Sequence, residues 1–132
     1  MNAILQSLKF REGERVLMFD ITYGAVKMTV DYISKSSGVV PELMSLKFPI
    51  NDPKDILEQF EEYLMKNTNI EGKGKIRLAA FEHITSPTAI VFPVKELIKL
   101  CHEHDILVMI DGAHAWGQIK LNLQELDPDF YV

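Results

Sequence analysis

The sequence predicts an α/β fold: a mainly parallel sheet with helices on both faces. Short apolar runs alternate with amphipathic stretches of about ten residues, the pattern of consecutive βαβ units. The run Ile106–Ile110 is uninterrupted and apolar, as a strand buried on both faces must be. Right-handed crossovers then bring the strand ends to one rim, so Asp20, His83 and Asp111, each following a run, should gather there.

Taken in order, Met1–Phe10 carries Ile4, Leu5 and Leu8 at helical spacing. Arg11–Arg15 reads as a turn, with Gly13 as the helix stop. Val16–Phe19 is a short strand ending in Asp20. Tyr23-Gly24 opens a second helix whose Val26, Val30 and Ile33 share one face, and Ser36-Ser37-Gly38 closes it. Val39–Phe48 is extended but interrupted by Pro41, which suits an edge strand. Asp52 can cap a third helix, Pro53 suits its first position, and Ile56, Leu57, Phe60, Tyr63 and Leu64 form its stripe. Thr68–Lys75 is a polar loop before the strand Ile76–Phe81. Pro93 begins a fourth helix with Val94, Leu97, Ile98 and Cys101 inward. Ile106–Ile110 follows, and a further strand starts within Asp129–Val132.

Composition narrows the function classes. The chain has 132 residues, enough for one domain or part of one. An apolar fraction of 47%, a charged fraction of 25% and a net charge of −5 describe an ordinary globular surface without a nucleic-acid footprint. The single Cys101 cannot form an internal disulfide and fits a reducing compartment. No run spans a bilayer and no secretory signal is visible, so a cytoplasmic protein is expected. The sequence lacks a G-x-S-x-G elbow, a G-x-G-x-x-G fingerprint and a P-loop; Gly72-Lys-Gly-Lys75 precedes a strand and reads as a surface turn. Cys101 reads as a small core residue.

The stretch richest in chemistry is Asp111-Gly-Ala-His114-Ala-Trp116-Gly117. Ligands of open α/β sheets bind outside the carboxyl ends of strands, where Asp111 should sit. Gly112, Ala113, Ala115 and Gly117 leave room for backbone to lie close to something flat or bulky. On these residues alone Asp111 could equally cap a turn, and His114 could be structural.

Several segments together resemble the class V aminotransferase family of pyridoxal-phosphate (PLP) enzymes, in its isopenicillin-N-epimerase-like branch related to the cysteine desulfurases. They are Leu8-Lys-Phe with Gly13-Glu-Arg-Val-Leu, Tyr23-Gly-Ala-Val-Lys, His83-Ile-Thr-Ser-Pro-Thr with Val91-Phe-Pro-Val, Val108-Met-Ile-Asp-Gly-Ala-His-Ala and Leu126-Asp-Pro-Asp-Phe-Tyr. The resemblance implies a large-domain fragment of the PLP-dependent transferase fold (fold type I), with PLP as cofactor and an amino acid or related amine as substrate. It further implies a homodimer in the full-length form. Within it Asp111 matches the residue that pairs with the pyridine nitrogen, His114 the one that bonds the phenolic oxygen. Ser86 falls near the same oxygen or the substrate carboxylate, with His83, Thr85 and Tyr23 as further pocket residues.

The departures are specific. Ile21 stands where many members carry a ring-stacking histidine, so either Ile21 or Tyr23 must serve that face. Trp116 replaces a common Pro or Leu. The resemblance places the phosphate-binding turn before Met1, and the Schiff-base lysine and small domain beyond Val132. No catalytic residue is therefore expected within residues 1–132, and Lys120, with Leu121 and Leu123 read as buried neighbours, reads as an ordinary exposed lysine. Two other readings stay open: a non-catalytic truncated product or interaction module, and a metal-dependent hydrolase using His83, Asp111 and His114. His102-Glu103-His104 lacks the H-E-x-x-H spacing and reads as solvated.

Overall fold

A computed structural model describes residues 1–132. Strands β1 (Arg15–Phe19), β2 (Val40–Met44), β3 (Ile76–Glu82), β4 (Leu107–Asp111) and β5 (Phe130–Tyr131) form one all-parallel sheet in the order β2-β1-β3-β4-β5. The connections carry α1 (Asn2–Ser7), α2 (Gly24–Ser37), α3 (Pro53–Asn67), α4 (Val94–Glu103) and α5 (Leu123–Leu126). Successive side chains of a strand point to opposite faces, and the core divides accordingly. Val16 and Met18 meet Leu5, Val26, Val30 and Ile33 of α1 and α2. Leu17 and Phe19 meet Ile56, Phe60 and Leu64 of α3, with Leu97 and Cys101 of α4 in the same cluster. The predicted α/β architecture with helices on both faces is what the chain adopts.

Local chemistry sets the element ends. The Asp52 side chain accepts the Lys54 amide while Asp55 reaches back to the amide of Asp52, closing a capping box on α3. Gly38 takes the left-handed conformation (φ 71°) that ends α2, a place where any other residue is strained. β2 is an edge strand, and Pro41 within it fits that position.

Several expectations are corrected. α1 stops at Ser7, so Gly13 does not end it; at φ 82° it instead turns the chain into β1. Pro93 is the cap of α4 rather than its first residue. Leu123, read as a buried neighbour of Lys120, is exposed and opens α5, a helix too short to show a period. Arg15 belongs to β1 rather than to the turn before it, and it is 1% exposed.

Arg15 can be buried because every nitrogen of its guanidinium finds an acceptor. Its Nη1 donates to both oxygens of Glu42 at 2.8 and 2.6 Å, its Nε to the Gly74 carbonyl at 2.5 Å, and its Nη2 to the Asn67 carbonyl at 2.6 Å. The Tyr63 hydroxyl donates to the same carboxylate, and Lys73 stands 3.7 Å from it. Burial pushes the Glu42 carboxyl up, but Tyr63, Arg15 and Lys73 together hold it below its usual range. Gly74 lies so close to Gly13 that a Cβ would sit 1.9 Å from the Gly13 carbonyl oxygen, which is why the loop can reach Arg15.

At the opposite edge, the Tyr131 ring lies on Gly112. A Cβ built at Gly112 would be 2.1 Å from Tyr131 Cε1. The ring is held by a 2.9 Å bond between its hydroxyl and His83 Nδ1, and by the edge of Trp116, centroid to centroid 6.1 Å. The flat group for which Gly112 leaves room is thus, within this chain, the Tyr131 ring.

Removing one member of a buried ion pair strands the other, at a cost of about 3–5 kcal/mol. Arg15→Ala is therefore expected to lower the urea-unfolding free energy by about that amount, with Arg15→Met/Glu42→Leu recovering most of it. A loss under about 1 kcal/mol for Arg15→Ala, typical of exposed pairs, would contradict the buried network. Gly112→Ala should cost about 1–3 kcal/mol through overpacking, and Tyr131→Ala in the same chain should relieve most of that cost. Additive losses in this double-mutant cycle would show that the two positions do not touch.

Candidate functional site

The rim at the carboxyl ends of β1, β3 and β4 is built by register. β3 and β4 pair in parallel from Leu78↔Leu107 to Glu82↔Asp111, and the ladder continues past the strand ends with the His83 amide donating to the Asp111 carbonyl at 2.8 Å. Since paired residues share a face, Glu82 and Asp111 stand side by side, on the side of α2.

Asp111 is half-buried. One oxygen accepts the Ala113 amide at 3.0 Å, which shapes the turn after β4, and no hydrogen bond occupies the other oxygen. His114 lies in that turn and is exposed. His83 is 6% exposed, and burial holds its imidazole below the ordinary histidine range, so it meets Tyr131 as a neutral ring. Ser86 is exposed, in the loop from β3 to α4. Tyr23 is half-exposed at the start of α2.

Five candidates thus share one rim, but they are not equally open. Ser86, Tyr23 and His114 offer exposed side chains, Asp111 a free oxygen, and His83 is already engaged. Thr85 is buried; its hydroxyl accepts the Ile90 amide at 2.9 Å and bonds Thr88 at 2.7 Å, which fixes the loop rather than lining an opening. Ile21 is half-buried against the Phe19 side of the core. Asp20 turns away from Asp111: its carboxylate accepts the Leu46 amide at 3.3 Å, beyond the β2 edge.

The residue that sequence reasoning missed is Glu82. Only 5% exposed, it accepts the Ser86 amide at 3.2 Å and the Tyr23 amide at 3.3 Å, one on each oxygen. Burial first, and the charge of Asp111 with it, push its carboxyl above the usual range against the two amides and His114, which lower it. The signal was available: like Asp111, Glu82 is the acid that follows an apolar run.

No three His, Cys, Asp or Glu side chains form a group able to hold a metal ion, so His83, Asp111 and His114 do not assemble the site a metal-dependent hydrolase needs. His102 is not merely solvated, since its Nε2 lies 3.1 Å from Asp129. No helix is long and apolar enough to cross a membrane.

The chain is similar to an L-cysteine desulfhydrase of Arabidopsis thaliana, 35% identical over 127 residues, which cover 94% of this chain and 27% of that protein. It is 26% identical over 134 residues to the isopenicillin N epimerase of Streptomyces clavuligerus, covering 100% of this chain and 31% of the epimerase. Among solved structures, the cystine C-S lyase C-DES superposes with a TM-score of 0.80 at 20% identity, over 99% of this chain and 33% of the lyase. That lyase has been solved with its product cysteine persulfide and, as a mutant, with glycine covalently linked to its PLP cofactor. The chain thus spans about a quarter to a third of the length of these proteins. The profile of the family described as Aminotransferase class-V matches residues 1–132 in full, and this chain belongs to that family.

Proposed function

We propose that residues 1–132 are the central part of a PLP-binding large domain, in an enzyme that acts on an amino acid. The observation that carries this is Asp111: a half-buried carboxylate at the end of an interior strand, with one oxygen tied to Ala113 and the other free. That free oxygen fits a protonated ring nitrogen. An anion beside such a nitrogen favours its charged form, and PLP, when bound, then serves as the sink for electrons released from the substrate.

The remaining rim residues have roles consistent with their exposure. His114 is free to donate to a phenolic oxygen from the turn after Asp111. Ser86 presents a hydroxyl from the facing loop, and Tyr23 supplies an aromatic face in place of the histidine that Ile21 displaces. His83, buried and neutral, acts one step back by holding Tyr131. In the full-length enzyme a second copy completing the site belongs to the same proposal. So does chemistry at the sulfur-bearing carbon of a cysteine-like substrate, which the desulfhydrase relative supports.

The test uses a PLP analogue lacking the aldehyde, which cannot attach to surface lysines and reports ring binding alone. Followed by tryptophan fluorescence or equilibrium dialysis, Asp111→Asn should weaken binding about 10–100-fold, the size of one lost charge-assisted hydrogen bond. His114→Ala should weaken it less. Equal affinity of the wild-type and Asp111→Asn chains would end this reading.

A further inference from the structure

Glu82 has no task in the site as described, yet it occupies its centre. It ends β3, between the strands that carry Asp20 and Asp111, and it is nearly inaccessible. Each of its oxygens takes the amide of a different loop: Tyr23, where β1 leads into α2, and Ser86, where β3 leads into α4. No other hydrogen bond joins these two loops. Tyr23 and Ser86, two of the three exposed side chains at the rim, thus have their backbone amides joined through a single carboxylate.

We propose that Glu82 is a positioning residue for the ring-binding site, a carboxylate latch that sets the spacing of Tyr23 and Ser86 across the space in front of Asp111. The proposal rests on the reading of Asp111 as the ring-nitrogen partner. It differs from a generic buried acid in two respects. An ionised carboxylate accepts both amides through two equally strong acceptor oxygens, whereas protonation weakens one of them and adds a donor. And the groups whose charge reaches it are those of the site itself: Asp111 on the neighbouring strand and His114 in the turn beyond, while the other two loops face it with backbone amides.

The latch should therefore open in acid, and both loops should feel it together. As pH falls through the raised Glu82 value, the proton gained on one oxygen weakens its bond to an amide. In the unliganded wild-type chain, the Tyr23 and Ser86 amide resonances in a ¹⁵N spectrum should shift with one common midpoint, above the ordinary carboxylate range of about 4.3. Asp111→Asn, which removes the neighbouring like charge, should lower that midpoint. Glu82→Gln leaves one oxygen for two amides; it should abolish the common titration and weaken binding of the aldehyde-free PLP analogue about tenfold. Glu82→Asp keeps the charge but shortens the reach, so it should weaken binding likewise, and undiminished binding by it would overturn the spacing role.

Separate midpoints for the two amides, no titration at either, or undiminished binding by Glu82→Gln would overturn the latch. Failure of the wild-type chain to bind the analogue, with the common midpoint present, would instead overturn the ring reading and leave a latch that spaces the loops for some other ligand.

Discussion

The pairing of β3 with β4 is the constraint from which the rim follows. In a parallel ladder the register is set once, and here it places Glu82 opposite Asp111. A slip of one residue would turn either acid to the other face, into the cluster of Phe81 and Ile110. The amide of His83 then bonds the Asp111 carbonyl, so the chain leaves both strands in a fixed direction. From that point the loop geometry is local: Asp111 turns its own loop through Ala113, and Thr85 closes the other through Ile90. Three acids at the ends of three adjacent strands would repel if all faced one another. Asp20 is spent on Leu46 instead, which leaves two at the centre.

The two ends of the sheet are stabilised by opposite means. At the amino ends, Arg15 and Glu42 form a closed network in which every charge is answered within the chain. At the carboxyl ends the acids are answered mainly by backbone amides, and Asp111 keeps an oxygen free. A satisfied buried pair has nothing left to bind with. A half-satisfied carboxylate beside a second acid favours any cation that can reach it. The asymmetry explains why one rim reads as framework and the other as a site, although both carry buried charge.

What was legible in the sequence follows the range of the interaction behind it. Apolar period gave the inward residues of α3 and α4, and the uninterrupted run at Ile106–Ile110 marked an interior strand, because burial on two faces leaves a local trace. Topology placed Asp20, His83 and Asp111 on one rim, though the Asp20 carboxylate goes to Leu46, and Ser86 was named by the family resemblance. Arg15 was assigned to a turn because its neighbours are charged; its burial depends on Glu42, Gly74 and Asn67, none of them near in sequence. Gly112 signalled a close approach, but nothing local named Tyr131 as what approaches. Glu82 was passed over because one carboxylate at a strand end looks like any other until the two loops that converge on it are known.

The distribution of charge also limits what the rim can hold unaided. Lys27 reaches these strand ends, but its ammonium is engaged there, donating to the Asp20 carbonyl at 2.9 Å. His83 is neutral and bonded to Tyr131, which leaves His114 as the exposed base beside the acids. A ligand with a cationic ring and an anionic tail can therefore present only its cationic end to Asp111. Its anion must lie away from Glu82 and Asp111, since like charges this close to a half-buried pair are strongly disfavoured. Orientation is thereby decided by repulsion as much as by attraction.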